Sequence, residues 1–463
     1  MHRLIKKYWK PVYANDNSAL IPELWAQEAL RVLDANLVAA NLVYRDFDEK
    51  VAAFGDTVNA HRPASFTMKR KVDTDAVTVQ DATSTNVAVL LDQHLHTSFL
   101  IRDGEESKSF KSLRDMYLTR AVMSLAQGID QIVLLQVYEF LANLQGKIGT
   151  ALTAASLIAV REKFNDLNAP LDGRNLLLTS SQEADLLAVD SLVAADKVGD
   201  EGSALRAGSL GTKYGINMFM SQNAPSVAAG STVTTDMAIN LGAGYAIGST
   251  VLVVDGGNTT AVAGEWCTIA GDNTPQLITA VTGGSIVTGI TISPGLRSAV
   301  VDDAVVTVYN SGAINEAATP GYASGWSKDI VIDGFTVAPK TGQLITTGVA
   351  GTYKYGAMPT PTTVLMLLNR ALDAALSNDE VVGVGPMGQY GLALHRDAIA
   401  LVTRPLATPM QGTGAQSAVI NFNGLSIRVT ITYEGRNQGH LVTVDLLCGV
   451  KTLNSSLGVP LVS

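Results

Sequence analysis

Cysteine is nearly absent: Cys267 and Cys448 are the only two in 463 residues. That leaves no disulfide framework and points to synthesis in a reducing compartment. Charge is scarce, at 16% of residues, and sums to -9. A nucleic-acid reader should carry a basic stripe, and this balance argues against one. Aromatics make up only 6%. No run of 18 apolar residues occurs, so no membrane span is expected. The opening residues 1–11 lack the apolar stretch of a secretory signal.

Catalytic patterns are missing too. Gly383, Gly385 and Gly388 spell G-x-G-x-x-G, but Pro386 lies inside the loop and a strand, not a helix, should follow. His395-Arg396-Asp397 spells a kinase triplet, yet Val402 stands where a metal-binding Asn is required. His94 and His96 share one strand face, too few for a zinc site. Asp302, Asp303 and Asp379 fall in turns, where Asp serves geometry. Cys267 and Cys448 sit in apolar strands as inert thiols. No enzyme, cofactor or metal site is expected.

What is present suits assembly. Residues 62–71 (RPASFTMKRK) are extended in character, a polar tip spans 72–86, and the chain returns through 87–101. Strand-like runs bounded by Asp, Thr, Ser and Asn read as a hairpin. A lone hairpin is marginal in water, so this arm is built to be held by something else. Phe66, Met68, Lys69, Arg70 and Lys71 on it are candidate subunit contacts. Arg3, Lys6 and Lys7 make a basic tip at the N-terminus and are further candidates. Residues 20–43 have helical periodicity, with Pro22 near the start.

After the hairpin, Leu118, Val122, Leu125, Ile129, Ile132, Val133, Tyr138, Phe140, Leu141 and Leu144 recur at three- and four-residue steps. The spacing predicts one helix from Lys108 to Gly149, with Ser112 and Asp115 as a capping-box start. Residues 151–225 read as mixed α/β. Residues 226–385 are rich in Gly, Thr and Val and contain an internal duplication. Val251–Gly256 (VLVVDG) matches Asp329–Gly334 (DIVIDG), and Gly264 matches Gly342, both 78 residues apart. Asp303 matches Asp379 at an offset of 76. Two such units side by side predict one pseudo-symmetric barrel or sandwich closed by both together. Residues 386–410 read as a strand and a helical turn. Residues 424–450 read as a hairpin turning at 434–439.

In this order the parts resemble the major capsid proteins of tailed phages, the Hong Kong 97 fold, in the branch with a β-barrel insertion. The likeness is carried by Phe54-Gly55-Asp56-Thr57-Val58, Arg62-Pro63 with Phe66, and Leu91-Asp92-Gln93-His94 with Phe99. It continues in Val254-Asp255-Gly256, Ala263-Gly264-Glu265, His395-Arg396-Asp397 and Thr403-Arg404-Pro405-Leu406. It ends in Leu447-Cys448-Gly449-Val450 and Leu457-Gly458-Val459-Pro460.

The resemblance implies an α+β chain. Its parts would be an N-terminal arm (1–53), an extended loop hairpin (54–104), a spine helix (105–150), an axial domain (151–225 and 386–412), an inserted all-β domain (226–385) and a C-terminal peripheral sheet (413–463). It implies a structural virion protein, assembled in the host cytoplasm from hexamers and pentamers into an icosahedral shell around double-stranded DNA. The implied partners are other copies of itself, a portal, a decoration or cement protein, and packaged DNA held without sequence preference; no membrane is involved. A scaffolding protein would be separate, because the stretch before Phe54 is too short to hold one. Some members cross-link subunits through Lys and Asn; Lys69 and Lys71 are the lysines of this hairpin. The alternatives are a cellular nanocompartment shell of the encapsulin type and an extracellular β-rich adhesin or surface-layer protein.

Overall fold

The computed structural model describes residues 26–33, 37–45, 56–62, 68–74, 76–77, 79–80, 85–194, 203–227, 233–255, 261–284, 286–309, 311–315, 321–325, 329–347, 353–359, 361–410, 414–422 and 425–463. Helix α1 covers residues 26–33. Its Ala26, Ala29, Leu30 and Leu33 fall on one face by helical spacing and enter the main core, followed by Leu37, Ala39, Ala40 and Val43. Strands β1 (Thr57–Arg62) and β2 (Thr85–Leu90) pair antiparallel, Thr57 opposite Leu90 and Arg62 opposite Thr85. The return then breaks at Leu91-Asp92, and β3 (Gln93–Arg102) leaves to join a different sheet.

Helix α2 runs Asp103–Leu134. It starts directly after β3, upstream of the expected cap at Ser112. At 1.5 Å per residue its length is about 48 Å. Leu118, Ala121, Val122, Leu125, Ala126 and Ile129 line its buried face, and from Ile132 to Leu135 every side chain is buried. The expected continuation to Gly149 does not occur. A 3-10 segment takes over at Leu135–Asn143, and β4 (Gln145–Gly146) follows. The tighter winding fits a site squeezed from two sides: Gly356 lies against Leu135 and Gly458 against Phe140. By length and composition Tyr117–Asn143 is apolar enough to cross a membrane, but most of it is covered within the fold, as in a core helix.

Helix α3 (Ala154–Asp166) begins at a Thr153 capping box, and α4 (Ser180–Leu187) at one formed by Thr179 and Gln182. Between them β5 (Arg174–Leu178) is buried along its whole length. Strands β6 (Thr212–Lys213), β7 (Ile216–Met220) and β8 (Ser226–Val227) complete this region.

Two β units follow. The first comprises β9 (Val233–Ile239), β10 (Val251–Asp255), β11 (Trp266–Ile269), β12 (Gln276–Gly283), β13 (Val287–Ser293) and β14 (Val305–Tyr309). It is a closed barrel, in the order β10-β13-β12-β11-β14-β9. The second comprises β15 (Ser311–Ile314), β16 (Asp329–Asp333), β17 (Leu344–Thr347), β18 (Tyr353–Gly356), β19 (Leu365–Leu367) and β20 (Val381–Val384). Its order is β18-β17-β20-β15-β16-β19, the same path when β9 is matched to β15 and so on to β14 and β20. Where the first closes by the β12–β13 ladder, the second has a single bridge, Ala357 opposite Leu368. Small details repeat. Tyr245 and Tyr322 each accept the amide of a strand residue, Val253 and Val331, at 2.7 Å. Asp303 and Asp379 share a left-handed φ of 59° and 61°, and Gly264 and Gly342 one of 100° and 82°. The expectation that both units together close one sheet is therefore corrected. Each winds on itself, because six short strands alternating inward already fill a core of their own.

The chain ends in β21 (Gly388–His395), β22 (Ile399–Arg404), β23 (Gln416–Phe422), β24 (Leu425–Glu434), β25 (Gly439–Thr452) and β26 (Gly458–Val462). One seven-stranded sheet runs β4-β26-β21-β5-β7-β6, with β8 on β21; a five-stranded sheet runs β22-β25-β24-β23, with β3 on β25. The expected partition of 386–412 and 413–463 is corrected on this point. A 3-10 turn at Arg396–Ala398 sends β21 and β22 to different sheets, and another at Ser455–Leu457 returns the C-terminus to the seven-stranded sheet. The helical turn expected in 386–410 is this short link between two strands.

Candidate assembly surfaces

The β1–β2 hairpin is anchored at its base, and the described apolar residues toward its tip are exposed. Ala60, Val89 and Leu91 bury against Ala400, Val402 and Leu447, with Val58 and Val87 alongside. Among the described tip residues, 68–71 form no ladder, and three successive cations at 69–71 favour water over pairing; residues 63–67 of the expected extended run lie outside the described residues. Met68 is 93% exposed, and Val72, Val77 and Val79 are exposed with it. Lys69, Arg70 and Lys71 are exposed between them. Of the sequence-derived candidates, Met68, Lys69, Arg70 and Lys71 thus lie together on one tip. Phe66, Arg3, Lys6 and Lys7 lie outside the described residues.

Residues 37–45 of the N-terminal segment are held by their own chain. Asp130 of α2 is fully buried, and its carboxylate accepts the amides of Val38 at 2.8 Å and Ala40 at 3.0 Å. Burial pushes this carboxyl above the usual carboxylate range, against the pull of those amides. Tyr44 then pairs with β22, donating to Ile399 O and accepting from Leu401 N, each at 3.0 Å. Nothing in the apolar periodicity of the helix marks Asp130 as a latch; its lone charge on a buried stripe is the only signal.

Both β units seat on the 3-10 segment. Arg297 donates to the carbonyls of Leu144, Ala142 and Leu141 at 2.9, 2.9 and 3.2 Å. These carbonyls lie at the C-terminal end of the 3-10 segment, where intrahelical donors run out, though Leu141 O also accepts the Leu144 amide at 3.2 Å. In the second unit Arg370 pairs with Glu139 at 2.7 Å and with Asp373 at 2.7 Å. The Tyr138 hydroxyl donates to Gly342 O. Trp266 Nε1 donates to Thr346 Oγ1 at 2.8 Å, joining the two units.

The chemical motifs resolve into structure. Gly383 and Gly388 lie in β20 and β21, strand to strand with no helix. His395 Nδ1 accepts the Asp397 amide at 3.3 Å in the 3-10 turn. His94 lies 3.3 Å from Asp445, which also holds Arg428 through both carboxylate oxygens. Burial would raise the Asp445 carboxyl, but the hydrogen bonds and charges of His94 and Arg428 outweigh it and hold it below the usual range. Cys267 is buried and its thiol is pushed up to about 12, first by burial and then by the Glu265 and Asp272 carboxylates. Among the described residues no group of three His, Cys, Asp or Glu side chains is placed to hold a metal.

No family model and no curated protein matches the sequence. Solved structures do align along most of it. A structure from Mycobacterium phage Che8 is 13% identical, covers 92% of this chain and 90% of its own, and superposes with a TM-score of 0.42. The capsid of Cyanophage P-SCSP1u is 11% identical over 90% of each chain, with a TM-score of 0.40. The mature capsid of bacteriophage PhiM1 is 10% identical over 88% of this chain and 81% of its own, with a TM-score of 0.34. The chain is similar to phage capsid structures.

Proposed function

We propose that this chain is the major shell protein of a tailed-phage head, folded on the Hong Kong 97 plan. It assembles itself through hexamers and pentamers into an icosahedral container for double-stranded DNA. The observation that carries this reading is the hairpin tip. A soluble monomer gains nothing from holding Met68, Val72, Val77 and Val79 in water on an arm whose described apolar packing lies at its base. Spread over a neighbouring subunit, the same arm adds buried area that a compact chain cannot supply. In this reading the hairpin is the extended loop and α2 the spine. The seven-stranded sheet lies in the axial domain, the five-stranded sheet is the peripheral one, and the two β units face outward. Scaffolding, portal and decoration proteins would be its partners, and the negative charge keeps the wall from sticking to the genome.

Negative-stain imaging and sedimentation of the chain expressed with its scaffolding protein test this. Closed shells are expected. A chain that stays a compact monomer under all assembly conditions would sink the reading. Small closed shells loaded with a protein cargo would favour the cellular compartment instead.

A further inference from the structure

The two β units offer an internal control that few chains provide. They share one strand order, and their loops match residue for residue: Gly244-Tyr245-Ala246-Ile247-Gly248 corresponds to Gly321-Tyr322-Ala323-Ser324-Gly325. At three equivalent surface positions the units differ in kind. The first has Ile247, Val251 and Val301, exposed by 69%, 64% and 72%. The second has Ser324, Asp329 and Ser377, exposed likewise. The barrel plan therefore does not require apolar residues there. In the first unit the segments that carry them are neighbours. The Gly248 amide bonds Leu296 O and the Tyr245 amide bonds Val300 O, which brings the loops bearing Ile247 and Val301 side by side at the start of β10. Val253, two residues along the same outer face of β10, extends the strip.

Charge separates the units as well. From Lys213 to Lys328 the only cation in the sequence is Arg297, and it is spent on the carbonyls of the 3-10 segment. Asp255, Asp302 and Asp303 are exposed around the strip. The second unit carries Lys328, Lys340, Lys354 and Arg370. So the first unit presents an apolar strip with an acidic rim and no free cation. Its complement is a segment that carries basic side chains flanked by apolar ones. The hairpin tip is such a segment: Met68 and Val72 flank Lys69, Arg70 and Lys71, all five exposed in their own chain.

We infer that the Ile247–Val251–Val301 strip of the first barrel is a docking surface for the Met68–Val72 tip of a second copy of this chain. This rests on the self-assembly proposed above and names the surfaces that meet. Apolar contact supplies adhesion, and the acidic rim selects the basic tip and fixes its direction. The contact weakens with salt, because its charges lie at an exposed edge.

The test uses two differently tagged full-length chains, one with Met68→Cys and one with Val251→Cys, co-expressed and mildly oxidised. The two native thiols are buried and do not compete. A disulfide requires Cα atoms within about 7 Å, so it reports direct seating. A mixed disulfide is expected about tenfold above a control pairing Met68→Cys with Val364→Cys, since docking raises the local thiol concentration. Val364 is 62% exposed on the second unit, which makes it a matched control. Ile247→Ser with Val301→Ser, which copies the second unit, is expected to abolish the cross-link while leaving the melting curve unchanged. Shells that form with the cross-link no higher than control overturn the inference and leave the shell reading standing. A cross-link in small oligomers of a chain that never closes a shell does the reverse. Capture of Val251→Cys by a cysteine placed at Lys6, in preference to Met68→Cys, overturns the choice of tip.

Discussion

Gly458 lies so close to Phe140 that a Cβ there would sit 2.4 Å from the ring. Gly458→Ala is expected to lower stability by about 2 kcal/mol through overpacking, and Phe140→Leu in the same chain to recover part of it, read by urea unfolding. Asp445 makes a different prediction. Its folded pKa lies below the unfolded value of about 3.9, so its contribution is complete above that value. It is lost as pH falls through the lowered folded pKa. Arg428→Met leaves Asp445 buried without its main partner and should cost about 3 kcal/mol at neutral pH. It should also flatten the fall in stability between about pH 5 and pH 2, seen in pH-dependent denaturation. Cys267 and Cys448 should resist thiol reagents in the folded chain and react once it is unfolded, since the thiolate is the reactive form and both are buried. Prompt labelling of the folded protein would contradict that.

The hairpin divides into a base packed on its own chain and a tip whose described apolar residues are exposed. Joining Arg62 to Thr85 by a short turn keeps the β1–β2 ladder and removes only the tip. The expected outcome is a monomer with an unchanged melting curve that fails to form stable shells. Even 200 Å2 of apolar contact per subunit is worth about 5 kcal/mol. Shells of normal yield and heat resistance would contradict this. The N-terminal segment behaves oppositely. It is tied to α2 by the Asp130 carboxylate and to β22 by Tyr44, so it is part of the folded monomer. Asp130→Ala leaves the buried amides of Val38 and Ala40 without an acceptor and should cost about 2 kcal/mol. Amide hydrogen exchange should quicken in residues 37–45 first.

At the scale of the whole molecule, a seven-stranded and a five-stranded sheet accompany two β units seated on one 3-10 segment. The ends of the first unit pair with each other, Tyr309 opposite Val233, so it leaves and re-enters the chain at one place. With a closed ladder and a separate core, residues 231–309 expressed alone should give a β-type circular dichroism spectrum and one cooperative melt. A spectrum without strand character would show that the barrel needs its seat. Trp266 and Tyr309, which pack toward the main core, should then be newly exposed and lower the melting temperature.

The sequence by itself determined what is local. Alternation and turn residues marked β24 and β25, helical spacing marked the middle of α2, and matched offsets marked the two β units. It also exposed the cation-rich tip, since Met68–Val72 contains three adjacent charges. The tertiary structure decided which strand joins which sheet, because β3, β21, β22 and β26 have similar apolar patterns and their partners lie far away in sequence. It decided where α2 ends, since the pressure of Gly356 and Gly458 on the 3-10 segment comes from distant residues. It turned one expected closed sheet into a closed barrel and a separate six-stranded sheet, because closure depends on whether β12 meets β13, a contact no composition encodes. The latch at Asp130 was hidden for the same reason: a carboxylate is a burial cost until the backbone amides that satisfy it are in place.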